Sequence, residues 1–197
     1  MSPRPRGKPD SELLAGAARV IERVGPHRLT LAEVGRETGL APATLLQRFG
    51  SKRGLLLAIV GQGASGVHEE FARIRAMYRS PLRVLQGVAR CMARMAKTPE
   101  ALANHLAFLE MDLADRDFHR LALAHARQFQ LEIRALLEEA VRAGELCKCP
   151  AAKLATAVHA MIGGSLLGWA IYREGKADAW ILRDLNVLLG PYRRSRG

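Results

Sequence analysis

The sequence of 197 residues predicts an all-α fold, with a small N-terminal domain of three helices and a larger helical bundle after it. Alanine, leucine and arginine are abundant and aromatic residues make up only 5% of the chain, which favours helices over strands. Apolar residues recur three and four positions apart along most of the chain, the spacing of one helical face. No alternating run bounded by turn residues predicts a β-hairpin.

The first predicted helix runs from about Ser11 to Val24, with Asp10 as its N-cap. Gly25 and Pro26 follow and are expected to end it. Residues at helical spacing predict its buried stripe: Leu13, Leu14, Ala17, Val20, Ile21 and Val24.

Two short helices joined by a tight turn are predicted over residues 30–49. Thr30 and Glu33 have the spacing of a capping box, so a helix begins after Thr30. Gly39 suits the left-handed conformation of a sharp helix exit. This is the pattern of a helix-turn-helix, in which the second helix, residues 41–49, lies in the DNA major groove.

The second of these helices has one polar side. Leu45 and Phe49 form its apolar face, whereas Thr44, Gln47 and Arg48 lie largely off that face. Such side chains bond phosphates and base edges, although a solvated polar face has the same composition. The net charge is +5 over the first 60 residues and +6 over the other 137, so positive charge is about twice as dense around this motif. The pattern favours a polyanionic partner.

The run from Leu29 to Leu56 resembles the TetR (tetracycline-repressor) family of bacterial transcription regulators. The shared features are the threonine cap, an inward aliphatic and a small residue, glycine and an aliphatic at the turn, a Thr-Leu pair, a phenylalanine, and Ser-Lys opening a fourth helix. The resemblance is specific over about residues 10–60 and architectural beyond them. It implies a cytoplasmic homodimer that binds a palindromic operator in double-stranded DNA and is regulated by a small-molecule effector.

The resemblance also implies which residues contact DNA. Phosphate contacts fall to Thr30, Thr44 and Lys52, and Gln47 and Arg48 lie at or near base edges. Three positions depart from the family pattern, because Leu46 replaces a tyrosine, Ala41 a capping serine and Gly50 a proline. The predicted DNA-binding residues are Thr30, Ala43, Thr44, Gln47, Arg48 and Lys52.

With this resemblance the chain divides into four segments. Residues 1–9 form a disordered basic arm and residues 10–56 the helix-turn-helix domain. Residues 57–192 form a ligand-binding and dimerisation domain. The fourth helix, from about residue 51 to 78 with a bend at its glycines, is expected to link this domain to the helix-turn-helix domain. Residues 193–197 are a basic tail.

The last two long helices carry enough apolar residues for two faces, and the resemblance points to a four-helix dimer interface between two copies. Internal core of a monomer is the alternative. Predicted interface residues are Ile162, Leu166, Trp169, Ile181, Leu185, Leu188 and Leu189.

Histidine, methionine and phenylalanine residues on the middle helices predict an apolar effector pocket with a few polar anchors. Ordinary core residues are the alternative, and three histidines on three helices are a weak metal signal. We predict no metal, no cofactor and no catalytic residue. The predicted pocket residues are Met92, Met95, His105, Phe108, Met111, His125, Phe129 and Met161.

Three further interpretations remain open at this point. Cys147 and Cys149 could make the protein a redox or metal sensor, although one intervening residue is poor zinc spacing. The uncharged run from Leu154 to Tyr172 reaches the minimum length of a membrane span, but a buried bundle helix fits its polar residues better. An enzyme is disfavoured because no nucleophile-base order or phosphate loop stands out. Three cysteines form no disulfide framework, so a reducing cytoplasm is expected.

Overall fold

The predicted all-α fold is confirmed by a computed structural model, which describes residues 8–94 and 96–194. No strand occurs in these two ranges apart from an isolated bridge between Leu146 and Arg193. The predicted arm lies outside the described residues except for its last two, and so does most of the predicted tail. The helices are α1 Asp10–Arg28, α2 Leu31–Thr38, α3 Pro42–Phe49, α4 Lys52–Ser65, α5 Val67–Arg75, α6 Pro81–Ala93, α7 Pro99–Ala114, α8 Arg116–Arg142, α9 Ala151–Tyr172 and α10 Ala177–Leu189, with a short 3-10 helix over Gly190–Tyr192.

The chain forms two compact units. The first contains residues 8–62 together with 103–121, and the second contains the remaining described residues. The division at residue 56 therefore differs from the observed one, because the end of α7 and the start of α8 belong with the N-terminal helices.

The core of the first unit holds the three N-terminal helices together. The predicted stripe of α1 is buried apart from the partly buried Val24, and Leu45 and Leu55 reach the same core from α3 and α4. Phe118 of α8 joins them and is fully buried. Because this phenylalanine is 63 positions beyond Leu55, no local pattern in the sequence could assign it there.

The ends of α1 differ from those expected. The N-cap residue is Pro9, so Asp10 is the first helical residue and its side chain caps nothing. At the other end the helix kinks at Gly25, whose φ is 75°, and then continues to Arg28. Pro26 follows the kink, and its fixed φ suits the first turn of a helix.

The second unit is a bundle in which α10 packs against α9 and α6. The fourth predicted helix is in fact two helices, α4 and α5, which separate at Gly66. In the described part of the chain, α9 is the one helix that could cross a membrane by length and composition. Such a helix is weak support for a membrane span, because seven of its residues are buried in the core of this unit.

Candidate DNA-binding surface and ligand cavity

The turn between α2 and α3 is fixed by local features at Thr30, Gly39 and Gly35. The hydroxyl of Thr30 accepts a hydrogen bond from the Glu33 amide, and the Glu33 carboxylate accepts one from the Thr30 amide at 3.0 Å. Gly39 ends α2 in the left-handed conformation, with a φ of 73°. At Gly35 a Cβ would lie 2.6 Å from the carbonyl oxygen of Leu40, so only glycine permits this approach of the turn. Together these contacts set the direction of α3.

Helix α3 presents a polar side to solvent. Leu45 is fully buried, whereas Ala43 and Gln47 are exposed and Thr44 is half-buried. Leu46, which replaces the family's tyrosine, is 50% exposed. The predicted contact residues of α3 therefore lie on one helix, and an apolar side chain interrupts their surface.

Arg48 at the end of α3 is held by the start of the chain. Its guanidinium donates hydrogen bonds to the Lys8 carbonyl at 2.6 Å and to the Asp10 carboxylate at 3.1 Å. The ammonium group of Lys8 in turn donates to the Thr38 carbonyl at 2.8 Å. The end of the basic arm is thus attached to the helix-turn-helix, a link with no counterpart in the sequence patterns.

Lys52 and Thr30 lie at helix N-termini, where free amides and the helix dipole attract phosphate. Thr30 is the N-cap of α2, and Lys52 is the first residue of α4. The Lys52 ammonium group donates to the His27 carbonyl at 2.5 Å. Two of the three predicted phosphate-binding residues, Thr30 and Lys52, therefore already have intramolecular partners.

A charged cluster at the start of α8 was missed by sequence reasoning. Arg53 of α4 donates to the Asp115 carboxylate at 2.8 and 3.0 Å and to Asp117 at 2.8 Å. Its hydrogen bonds lower the pKa of Asp115 below the usual range. The guanidinium also lies 5.7 Å from the centre of the Phe118 ring. These contacts bind α4 to α8 within the first unit.

The second unit contains an apolar cavity of about 240 Å³. Three predicted pocket residues, Met92, His125 and Phe129, line it. Phe71 packs edge-on against Phe129 at 5.3 Å between ring centres. Burial, and then the charge of His159, lower the pKa of His125, so this imidazole is neutral at pH 7. The arrangement suits an apolar ligand with few polar contacts. Other lining residues were not predicted: Gly63, Gly66, Val67, Glu70, Phe71, Ile74, Val88 and Cys91.

The other predicted pocket residues do not line this cavity. His105, Phe108 and Met111 belong to the first unit, where Phe108 and Met111 pack on its core. Met161 packs against the core of the second unit, and Met95 lies outside the described residues. The eight residues form no single pocket, because apolar periodicity shows that a helix face is buried without showing against which partner.

The predicted dimer interface requires a correction. Six of its seven residues are at most 7% exposed within the chain's own core, and the seventh, Leu188, is partly buried there. They hold α9 and α10 to the bundle and are unavailable to a second copy. The opposite face of α9 is exposed and carries small and apolar residues, which we call the α9 face: Ala160, Gly163, Gly164, Leu167 and Ile171.

The cysteine pair shows no sign of a metal site. Cys147 is exposed, and burial raises the pKa of the half-buried Cys149. Within residues 8–94 and 96–194, no group of three histidine, cysteine, aspartate or glutamate residues could hold a metal ion. A raised pKa makes the Cys149 thiol less reactive.

Comparison with known proteins identifies the helix-turn-helix. A model of the tetR family of bacterial regulatory proteins matches residues 13–59. The HTH-type transcriptional regulator BetI of Rhizobium meliloti is 29% identical over 154 residues, which cover 77% of this chain and 73% of BetI.

Solved structures share the fold over almost the whole chain. A protein from Saccharomonospora viridis in complex with choline has a TM-score of 0.78 at 16% identity, covering 94% of this chain and 98% of that one. The transcriptional regulator FadR from Bacillus subtilis, in complex with stearoyl-CoA, has a TM-score of 0.70 at 15% identity, covering 91% and 97%. The helix-turn-helix of this chain is therefore that of the tetR family of bacterial regulatory proteins, a DNA-binding element, and the rest of the chain shares the fold of regulators from that family.

Proposed function

We propose that this regulator is a homodimer that represses transcription from a palindromic operator and is released by a small-molecule effector. The observation that carries the proposal is the exposed polar side of α3, held in place by the Thr30 capping box and followed by Lys52. Two recognition helices related by two-fold symmetry would read the two halves of a palindrome. We expect such a protein in the cytoplasm, without a membrane anchor, cofactor or catalytic role.

The effector would bind in the apolar cavity beside Phe129. Proteins of similar fold bind small molecules, since the S. viridis protein is in complex with choline and FadR with stearoyl-CoA. An effector releases the operator only if it binds the DNA-free form more tightly. In our proposal it moves α4 and thereby changes the separation of the recognition helices.

Arg48→Ala and Lys52→Ala are expected to weaken DNA binding in different ways. Arg48 would contribute to base preference, so its loss should reduce discrimination between operator and mismatched DNA by about 1–3 kcal/mol. Lys52 would bind a phosphate, so its loss should weaken binding to all DNA sequences alike. The slope of log affinity against log salt concentration should become shallower by about 1. Gel-shift titrations at several salt concentrations measure both effects, on an operator selected from random DNA.

Arg127→Ala is the matched control, because it removes an exposed arginine of α8 in the second unit. Thermal melting separates lost contacts from lost stability, since Lys52 also bonds His27. Wild-type affinity and discrimination in both variants would refute the assignment of these two residues.

The α9 face is expected to form the dimer interface. Gly163 and Gly164 have open space where a Cβ would stand, and Leu167 and Ile171 are 45% and 75% exposed. Small residues allow a second copy of the helix to approach closely. Leu167→Glu would bring two carboxylates together across the axis, which should weaken dimerisation about a hundredfold.

Sedimentation velocity at micromolar concentration tests this prediction, with Leu131→Glu as control. Leu131 on α8 is also an exposed leucine, at 57%. A dimer that survives Leu167→Glu but not Leu131→Glu would move the interface to α8.

A further inference from the structure

A second cavity adjoins the apolar one in the same unit. It is an open cleft of about 530 Å³ bordered by residues of α5, α6 and α10 and the loop before α10. Ile74 and Cys91 line both cavities, so the two spaces meet along a common wall. The cleft alone has the size of an ordinary ligand site, whereas the apolar cavity is smaller than most. The apolar cavity therefore suits part of a ligand better than a whole one.

The cleft concentrates positive charge. Five cationic side chains line it and face two carboxylates, Asp178 in the cleft and Glu70 beside it, so the cations outnumber the carboxylates by three. The second unit as a whole has eighteen lysines and arginines and ten acidic residues, so the cleft, with five cations to two carboxylates, is more basic than the unit around it. Like charges around one cleft repel each other, and a bound polyanion would relieve this repulsion. The cations are Arg73, Arg90, Arg94, Lys97 and Lys176.

The carboxylate beside the apolar cavity, Glu70, already has cationic partners within the chain. Glu70 accepts hydrogen bonds from Arg73, at 2.5 and 2.9 Å, and lies 3.6 Å from the Arg94 guanidinium. The Cys91 thiol donates to the same carboxylate at 2.7 Å. The bond from Arg73 is the main reason that the pKa of Glu70 is lowered to about 2. Glu70 is thus engaged as an anion by this chain's own arginines and is a poor partner for a cationic ligand.

We propose that the effector of this regulator is an anionic amphiphile, in which an acyl chain is joined to a phosphate-bearing head group. Its acyl chain lies in the apolar cavity between Phe71, Val88 and Phe129, and its phosphates lie in the cationic cleft. In this proposal the acyl chain enters the apolar cavity beside Ile74 and Cys91, the two residues that line both spaces. This inference rests on the proposed function, because it names the chemical class of the proposed effector. It requires both halves of the ligand, since each cavity matches only one of them.

Isothermal titration of the full-length protein, without DNA, tests the ligand class. The probes are palmitoyl-CoA, octanoyl-CoA, palmitate, CoA and choline, each below its aggregation concentration. Palmitoyl-CoA is expected to bind at least about tenfold more tightly than palmitate or CoA alone. Equal binding of CoA alone would reduce the site to a polyanion cleft, and tighter binding of choline would indicate a cation site. Either result overturns the proposal.

Charge variants test the cleft itself. Arg90 and Lys176 form no ion pair within the described ranges. The double variant Arg90→Gln, Lys176→Gln should weaken the binding of palmitoyl-CoA about tenfold and change the affinity for palmitate by no more than about twofold. Arg127→Gln, Lys153→Gln removes the same charge outside the cleft and should change neither affinity. Equal effects of the two double variants would mean that the overall charge, and not the cleft, attracts the ligand.

Met92→Trp tests the apolar cavity, because Met92 lines it and is only half-buried. The larger side chain should weaken palmitoyl-CoA at least about tenfold and affect CoA little. If this variant fails to fold, the comparison of octanoyl-CoA with CoA in the wild type makes the same test, since equal affinities would show that the acyl chain is not bound. A separate gel-shift experiment with selected DNA measures DNA binding and its release by each probe. A protein that binds palmitoyl-CoA but no DNA would contradict the proposed function, whereas release of DNA by choline alone would contradict only the ligand class.

Discussion

Gly54→Ala is expected to destabilise the protein by about 3 kcal/mol and to impair DNA binding. A Cβ at this position would lie 2.0 Å from the carbonyl oxygen of Phe49, the last residue of α3. That atom belongs to the backbone, so it cannot move aside as the end of a flexible side chain could. The clash would push the end of the recognition helix away from the first turn of α4. Urea denaturation and gel-shift titration measure the two effects.

Gly63→Ala provides the control in the same helix. A Cβ there meets no atom within 4 Å, and α4 includes this residue. The variant should gain about 0.5–1 kcal/mol, because alanine loses less backbone entropy than glycine in a helix. If Gly54→Ala were as stable as Gly63→Ala, the expected clash with the Phe49 carbonyl would be refuted.

Phe118→Ala is expected to cost about 3–5 kcal/mol and to abolish DNA binding at moderate temperature. Phe118 is fully buried in the first unit, beside the helix-turn-helix core, although it lies far from the polar side of α3 in the sequence. Its removal leaves a cavity that the N-terminal helices cannot fill. Loss of both thermal stability and DNA affinity in one variant would show that α8 supports the DNA-binding domain.

Leu123→Ala, five residues further along α8, is the matched control. Leu123 is 39% exposed, so its truncation should change stability by about 0.5 kcal/mol or less. A DNA-binding fragment that ends at residue 62 makes the complementary test. It should be poorly folded, and a stable fragment that binds DNA would show that Phe118 is dispensable.

The helix-turn-helix could be predicted because its signals are local. The capping box of Thr30 and Glu33, the left-handed Gly39 and the buried Leu45 each depend on residues fewer than ten positions apart. The family resemblance rests on the same short run. The contribution of Phe118 could not be predicted, because it depends on a contact between distant parts of the chain.

The outward face of α9 shows a second limit. The helix is apolar around most of its circumference, so periodicity does not distinguish the side that meets α10 from the side that meets solvent. Ile162 and Leu166 were predicted at the interface and are buried, whereas Leu167 is exposed. The division of the predicted pocket residues has the same origin. Sequence spacing shows which side chains share a helix face, and tertiary packing decides what each face meets.

The contact between Arg48 and Asp10 bears on how an operator would be selected. In the free protein the Arg48 guanidinium already has an anionic partner, so binding to DNA would exchange one acceptor for another. The free energy gained is the difference between the two partners rather than the whole value of the new contact. A guanine at the matching position would offer two acceptors in the groove and so bind the guanidinium more strongly than one exposed carboxylate does. A wrong base, which lacks this pair of acceptors, leaves Arg48 with Asp10. Asp10 would then compete with DNA for Arg48, so that only a matching sequence gains binding free energy from this arginine.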